Sequence, residues 1–298
     1  MAIRLLMLAA TLVLLAGCES SQRWVYHQGM DFEKWRAGLE EHTVSTDDGL
    51  RWRVLQSSDA DQAPAVLLIH GFGADSRNWV RFANELEGDY RFVIPDLPGH
   101  GNTEPRTTNM DYGISEQAER LFRLLDALQV ERAHVAGNSM GGAIAIEMAR
   151  RQPDRLRSLG LVDAAGITLQ TPEFLNVLEQ SDSNPLIPHS AEDFRTTLDW
   201  ASERSVGIPD FAITLMGEDL DPAMRLQGRG VLPEIKTSTL ILWGREDALL
   251  GVDNVEVFQR ELPNSRAVIL EGVGHVPMAE APEESAEAFR AFWQDIDG

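Results

Sequence analysis

The sequence predicts an α/β architecture: a mostly parallel central sheet with helices on both faces and a helical cap. Three observations carry this. Short apolar runs alternate with helix-forming stretches along the 298 residues, the order that parallel strands with crossovers require. Gly137-Asn138-Ser139-Met140-Gly141 lies between an apolar run, Arg132–Ala136, and a good helix former, Ala143–Arg150, so it reads as a tight strand-to-helix turn. Residues 166–233 show no strand pattern, and Pro172, Pro185, Pro188, Pro209, Pro222 and Pro233 cut them into short helical pieces.

Length and composition suit one large globular domain with an insertion, since 43% of residues are hydrophobic and 24% charged. The net charge of −21, from 47 acidic and 26 basic residues, argues against nucleic acid as a partner, because phosphate contacts need clustered Lys and Arg. It reads instead as a well-hydrated surface. The single cysteine, Cys18, leaves no intramolecular disulfide and no Cys-rich metal site.

At the N-terminus, Arg4 precedes an apolar run, Leu5–Ala16, that is short for a transmembrane helix. Leu15-Ala16-Gly17-Cys18 follows and resembles the bacterial lipobox, where cleavage precedes a cysteine that carries lipid. Residues 1–17 therefore read as a lipoprotein-type signal peptide and Cys18 as the lipidation site, with an uncleaved membrane anchor as the rival reading. Glu19, rather than Asp, after the cysteine favours the periplasmic face of the outer membrane in a Gram-negative cell. Residues 18–41 carry spaced apolar side chains, Trp24, Tyr26, Phe32, Trp35 and Leu39. They form either an amphipathic helix beside the membrane or a helix or spacer packed on the domain.

The core is expected at 42–165 and 234–298, with 166–233 as the cap. His42–Leu55 reads as two strands around Asp48-Gly49, a hairpin signal. Ala65–Ile69 is continuously apolar, hence a strand buried on both faces, and ends in His70-Gly71-Phe72-Gly73. Arg91–Pro95 is the next strand, ending in Asp96-Leu-Pro-Gly-His-Gly101. Ser115–Leu128 is an amphipathic helix with Ala118, Leu121, Leu125 and Leu128 on one stripe. The strand and helix around Ser139 follow, then strands at Ser158–Asp163, Ser238–Trp243 and Ala267–Leu270. A serine raised on such a turn is presented openly, and the helix behind it aims amide groups at whatever the serine attacks.

His70–Gly73, Asp96–Gly101, Gly137–Gly141, Gly244-Arg-Glu-Asp247 and Gly274-His-Val-Pro277 resemble, in order and spacing, the motifs of the α/β-hydrolase superfamily, and most closely its bacterial membrane-attached lipases, esterases and phospholipases. The resemblance runs from about His42 to Trp293. It implies a nucleophile, acid and base in the order Ser139, Asp247, His275. His275 lies in a Gly-rich loop that can bring its imidazole over the sheet edge, and Asp247 closes a strand–loop at that edge. Asp163, at the end of the preceding strand, competes as the acid, because some relatives take theirs there. The oxyanion hole falls to the amides of Phe72 and Met140. His70, His100, His134 and Asp96 are expected to brace structure.

The implied activity is serine carboxylic ester hydrolysis of lipid-like esters, lipase or phospholipase A-like, with a lipid or small-molecule ester as partner and no metal or organic cofactor. The alternatives are a carbon–carbon bond hydrolase of the aromatic meta-cleavage type, whose members share the Gly-Asn-Ser-Met-Gly turn, and a non-catalytic member of the fold. Oligomeric state is left open.

Overall fold

The computed structural model describes residues 19–57, 63–107, 110–166, 196–197, 199, 201–204 and 235–298. Cys18, the signal segment and nearly all of the expected cap lie outside the described residues. Among the described residues no helix is long and apolar enough to cross a membrane.

Helix α1 (Glu19–Arg36) precedes a hairpin of β1 (Leu39–Ser45) and β2 (Arg51–Ser57), which pair antiparallel with Leu39 opposite Ser57. Gly49 supplies the positive φ of the turn, +86°, which a Cβ would oppose. The strand begins at Leu39 rather than His42. Gly38, at φ +59°, reverses the chain after the helix, and Leu39 is buried in the core. The expected segment 18–41 therefore gives its last residues to the sheet.

The remaining elements run β3 (Ala65–Ile69), a 3-10 turn (Ser76–Trp79), α2 (Val80–Asn84), β4 (Arg91–Pro95), α3 (Ile114–Ala127), β5 (Ala133–Asn138), α4 (Met140–Arg151), β6 (Leu156–Val162), β7 (Thr239–Gly244), α5 (Asn254–Glu261), β8 (Ser265–Leu270), α6 (Pro277–Glu280) and α7 (Pro282–Asp297). The eight strands form one sheet in the order β1-β2-β4-β3-β5-β6-β7-β8. From β4 onward every neighbouring pair is parallel, while β1 and β2 add an antiparallel edge. This is the expected mostly parallel sheet.

Alternation along the strands builds two cores. Leu67 and Ile69 of β3 join Leu121 and Leu125 of α3, Ile144 and Met148 of α4, and Phe258 of α5. Val66 and Leu68 face the other way and join Phe82 of α2 and Phe289 and Trp293 of α7. Both sheet faces are thus covered, which is why β3 reads as a continuous apolar run rather than an alternating one. Aromatic rings close the second core, Phe82 meeting Phe289 edge-on at 5.4 Å.

Helix α1 lies on the domain by its inner face. Met30 packs on the second core, and the Tyr26 hydroxyl accepts from Arg77 Nη1 at 2.7 Å. Arg77 in turn pairs with Asp75, its Nε lying 2.8 Å from Oδ2. Trp24, Phe32 and Trp35 stay 55%, 55% and 72% exposed. At about 100° per residue they fall in one arc of roughly 80° on the outer face.

Candidate active site

The candidate residues come from the C-terminal ends of five parallel strands, the edge at which open α/β sheets bind ligands. Ser139 follows β5 and immediately precedes α4. Its backbone is held at φ +52°, ψ −118°, a conformation that costs a residue with a Cβ about 1–3 kcal/mol. The turn is tight because two glycines permit it. A Cβ on Gly137 would stand 2.1 Å from Gly141 O, and one on Gly141 would stand 2.3 Å from Ile69 O. The result is a half-buried Ser139 between fully buried neighbours.

Helix α4 starts at Met140, so its first amides have no carbonyl behind them, and its positive end faces the serine. The loop after β3 lies against the same turn: a Cβ on Gly71 would sit 3.2 Å from Ser139 Cβ and 3.1 Å from Asn138 Oδ1. The Met140 and Phe72 amides therefore belong to two segments that meet beside Ser139. The Phe72 ring is partly buried and stands edge-on to His100, centroids 5.9 Å apart.

His275 Nδ1 lies 2.9 Å from Asp247 Oδ2, and both side chains are buried. Asp247 Oδ1 accepts from the amides of Leu249 at 2.9 Å and Leu250 at 3.1 Å. A carboxylate opposite Nδ1 keeps the proton there and leaves Nε2 as the acceptor. Burial opposes ionisation of Asp247, but the charge and hydrogen bond of His275 and the Leu250 amide outweigh it and hold the carboxyl below its ordinary range. Of the two acids that the sequence offers, the one bonded to His275 is Asp247. Asp163 directly follows β6 in the same cluster without bonding the ring.

Two residues that sequence reasoning did not single out for this role hold the histidine loop. Asn138 Nδ2 donates to His275 O at 3.0 Å and to Val162 O at 3.1 Å, tying the loop to the serine turn and to β6. The buried Glu280 carboxylate takes four amides: Glu203 at 2.8 Å, Arg204 at 2.7 Å and Gly274 at 3.1 Å on Oε2, and Val276 at 3.2 Å on Oε1. The His275 amide itself donates to Ala201 O at 2.7 Å. Residues 201–204, which lie within the segment expected to form the cap, are therefore fastened on both sides of the histidine. The only signal in the sequence is a Glu five residues after His275, next to a proline-bounded turn.

The other histidines and Asp96 brace the frame. His70 Nε2 accepts from the Leu97 amide at 2.9 Å, so Nδ1 donates to Gly71 O at 2.8 Å. His100 is buried edge-on to His70, centroids 5.0 Å apart. Burial, and then His70, push its pKa well below the ordinary value against the pull of the Pro98 carbonyl. His134 lies against Ser158 Oγ at 2.8 Å and Asp297 at 3.1 Å. Asp96 accepts from the amides of Ser76 at 3.0 Å and Asn102 at 2.8 Å, which closes its Gly-rich loop. His27 and His42 are exposed, and His189 lies outside the described residues.

The sequence profile of the alpha/beta hydrolase family matches residues 66–288. Lipase 3 of Moraxella sp. (strain TA144) is 31% identical over 280 residues, covering 88% of this chain and 87% of that lipase. Lipase 1 of Psychrobacter immobilis is 30% identical over 279 residues, covering 88% and 87%. Among solved structures, a membrane phospholipase A reported as a bacterial virulence factor is 35% identical, with a TM-score of 0.83 and full coverage of both chains. Sheet order, serine turn, family profile and these relatives agree, and the chain belongs to the α/β-hydrolase family.

Proposed function

We propose that this chain, a carboxylic ester hydrolase, cleaves lipid-like esters at a bacterial envelope membrane through a Ser-His-Asp acyl-enzyme mechanism. The observation that carries the reading is the buried His275–Asp247 pair, 2.9 Å apart, with His275 on a loop bound to the turn that bears Ser139. Ser139 Oγ attacks the ester carbonyl as His275 Nε2 takes its proton. Asp247 orients the ring and balances the imidazolium charge. The amides of Phe72 and Met140 bind the oxyanion of the tetrahedral intermediate. Collapse breaks the ester C–O bond, and the alcohol leaves with the proton from His275. Water, deprotonated by the same nitrogen, then attacks the acyl-enzyme, releasing the acid and regenerating Ser139.

The lipid preference is supported by the two bacterial lipases and the membrane phospholipase A among the relatives. The membrane setting is supported by the lipobox-like Leu15–Cys18 just ahead of α1 and by the aromatic outer face of that helix. The test is fatty-acid release from short-chain esters, monoacylglycerols and phospholipids by the purified protein and by Ser139→Ala. Release from long-chain lipids that Ser139→Ala abolishes is the expected result. Activity confined to short soluble esters would overturn the lipid preference. Loss of all ester hydrolysis in the unaltered protein would bring forward carbon–carbon bond cleavage.

A further inference from the structure

Asp163 is a wholly buried acid that the mechanism above does not use. Asp163 and Asp247 each present one carboxyl oxygen and His275 one ring nitrogen, and these three atoms all lie within 4.8 Å of one another. The chain holds the Asp163 backbone at φ +41°, in the region that costs residues with a Cβ about 1–3 kcal/mol. The Asp163 amide donates to Leu242 O at 3.0 Å, and Oδ1 accepts from the Gly244 amide at 3.0 Å. Oδ2 is buried and finds no donor to accept from.

An ionised Asp163 would leave that oxygen unmatched beside the negative charge of Asp247. A protonated Asp163 has an O–H there instead, with the Asp247 carboxylate as its acceptor. Burial first, and the Asp247 charge second, push the Asp163 carboxyl well above its ordinary range, with Glu280 of α6 adding to the same side. Asp247 moves the opposite way, and a protonated Asp163 beside it would act in the same direction as His275 and the Leu250 amide. Two neighbouring carboxyls whose surroundings push their pKa values apart hold one proton between them in a defined place.

We infer that Asp163 is a positioning residue of the catalytic network: its Oδ2–H donates to the Asp247 carboxylate, which receives Nδ1–H of His275. This rests on the reading of Ser139, His275 and Asp247 as the catalytic groups. With the Leu249 and Leu250 amides, Asp163 gives Asp247 a fixed plane and spreads its charge. The imidazolium formed during turnover is thereby held in place without being over-stabilised, so the ring gives its proton back to the leaving alcohol.

The experiment is the pH profile of kcat/KM on a soluble p-nitrophenyl ester, for the full chain and for Asp163→Asn and Asp163→Leu. Asn is neutral, offers an N–H toward Asp247 and keeps an oxygen for Gly244. It should retain kcat within about threefold, with the acidic limb in place. Leu removes the donor. It should lower kcat about tenfold with KM little changed and raise the acidic limb by about half a pH unit or more, because Asp247 then pulls harder on the imidazolium. An infrared band of a protonated carboxyl, present in the unaltered protein at neutral pH and missing in Asp163→Asn, reads the same state without activity. A downward shift of the limb in Asp163→Asn, with no such band, would mean that an ionised Asp163 was removed and would overturn the inference. So would a folded Asp163→Leu with an unchanged profile. If Asp247→Asn stays fully active, it is the catalytic reading that has failed.

Discussion

Asp163 directly follows β6 and Asp247 lies three residues past the end of the adjacent β7, and their surroundings differ. Asp247 has three hydrogen-bond donors for its charge, His275 and two amides; Asp163 has one amide and a bare oxygen. Asp247→Asn should therefore lower kcat by up to about four orders of magnitude while leaving the thermal midpoint close to that of the unaltered protein. Steady-state kinetics beside a melting curve decide it, and a loss of less than tenfold would count against Asp247 as the acid. Glu280 makes a second prediction at this scale. Glu280→Gln keeps one acceptor oxygen where the carboxylate served four amides with two, and its amide N–H₂ must face an N–H that it cannot accept. The substitution should cost about 1–3 kcal/mol and, because Gly274 and Val276 flank His275, lower kcat more than it raises KM. Glycines in recognisable spacing are what let the sequence point to Ser139 and His275. No such signal marks the partners of Asn138 and Glu280, because what they bind is backbone, much of it from segments far along the chain, and backbone carries no sequence signature.

At the scale of elements, the runs with a clear period were read to within a residue or two. The strand Ala65–Ile69 falls where its apolar run does, and α3 spans Ile114–Ala127 where the stripe pointed to Ser115–Leu128. The hairpin also stands at Asp48-Gly49. Its start was misplaced because Leu39 continues the apolar spacing of the helix before it, and only the reversal at Gly38 shows that it belongs to the sheet. Helix α1 packs on the domain through Tyr26 and Met30, as one of its two sequence readings has it, and turns Trp24, Phe32 and Trp35 outward. If that outer face meets lipid, a chain starting at Glu19 with all three changed to Ser should bind phosphatidylcholine vesicles at least about tenfold more weakly in co-sedimentation. Hydrolysis of a soluble ester should stay the same, since the three side chains point away from the domain. Equal sedimentation of the two forms would remove α1 from the membrane reading.

For the whole molecule, the pH dependence of stability follows from which groups the fold keeps neutral and which it keeps charged. His70, His100 and His134 are pushed below the ordinary 6.5, burial being the first cause for each. The unfolded chain takes up those protons first, so the stability that these residues contribute is complete above pH 6.5 and is lost as the pH falls below it. Asp75 extends the loss. Burial opposes its ionisation, but Arg77 holds its carboxyl at about 2 against an ordinary 3.8, so its contribution is present above 3.8 and disappears on the way down to about 2. Asp163 runs against all of these. Its folded pKa is raised, so its contribution is complete below 3.8 and declines as the pH rises through the shifted value, because the unfolded chain ionises and the folded chain does not. At neutral pH the protein therefore gives up stability to keep that proton beside Asp247. Asp163→Asn cannot ionise in either state and should release it. The prediction is a midpoint higher than that of the unaltered protein at pH 7 to 8, with the gap closing as the pH is lowered toward 4, measured by calorimetry over that range. A gap independent of pH would mean that the substitution acts through packing alone. A gap of opposite sign at neutral pH would mean that Asp163 is charged in the native fold, and the proton would have to be placed elsewhere in the network.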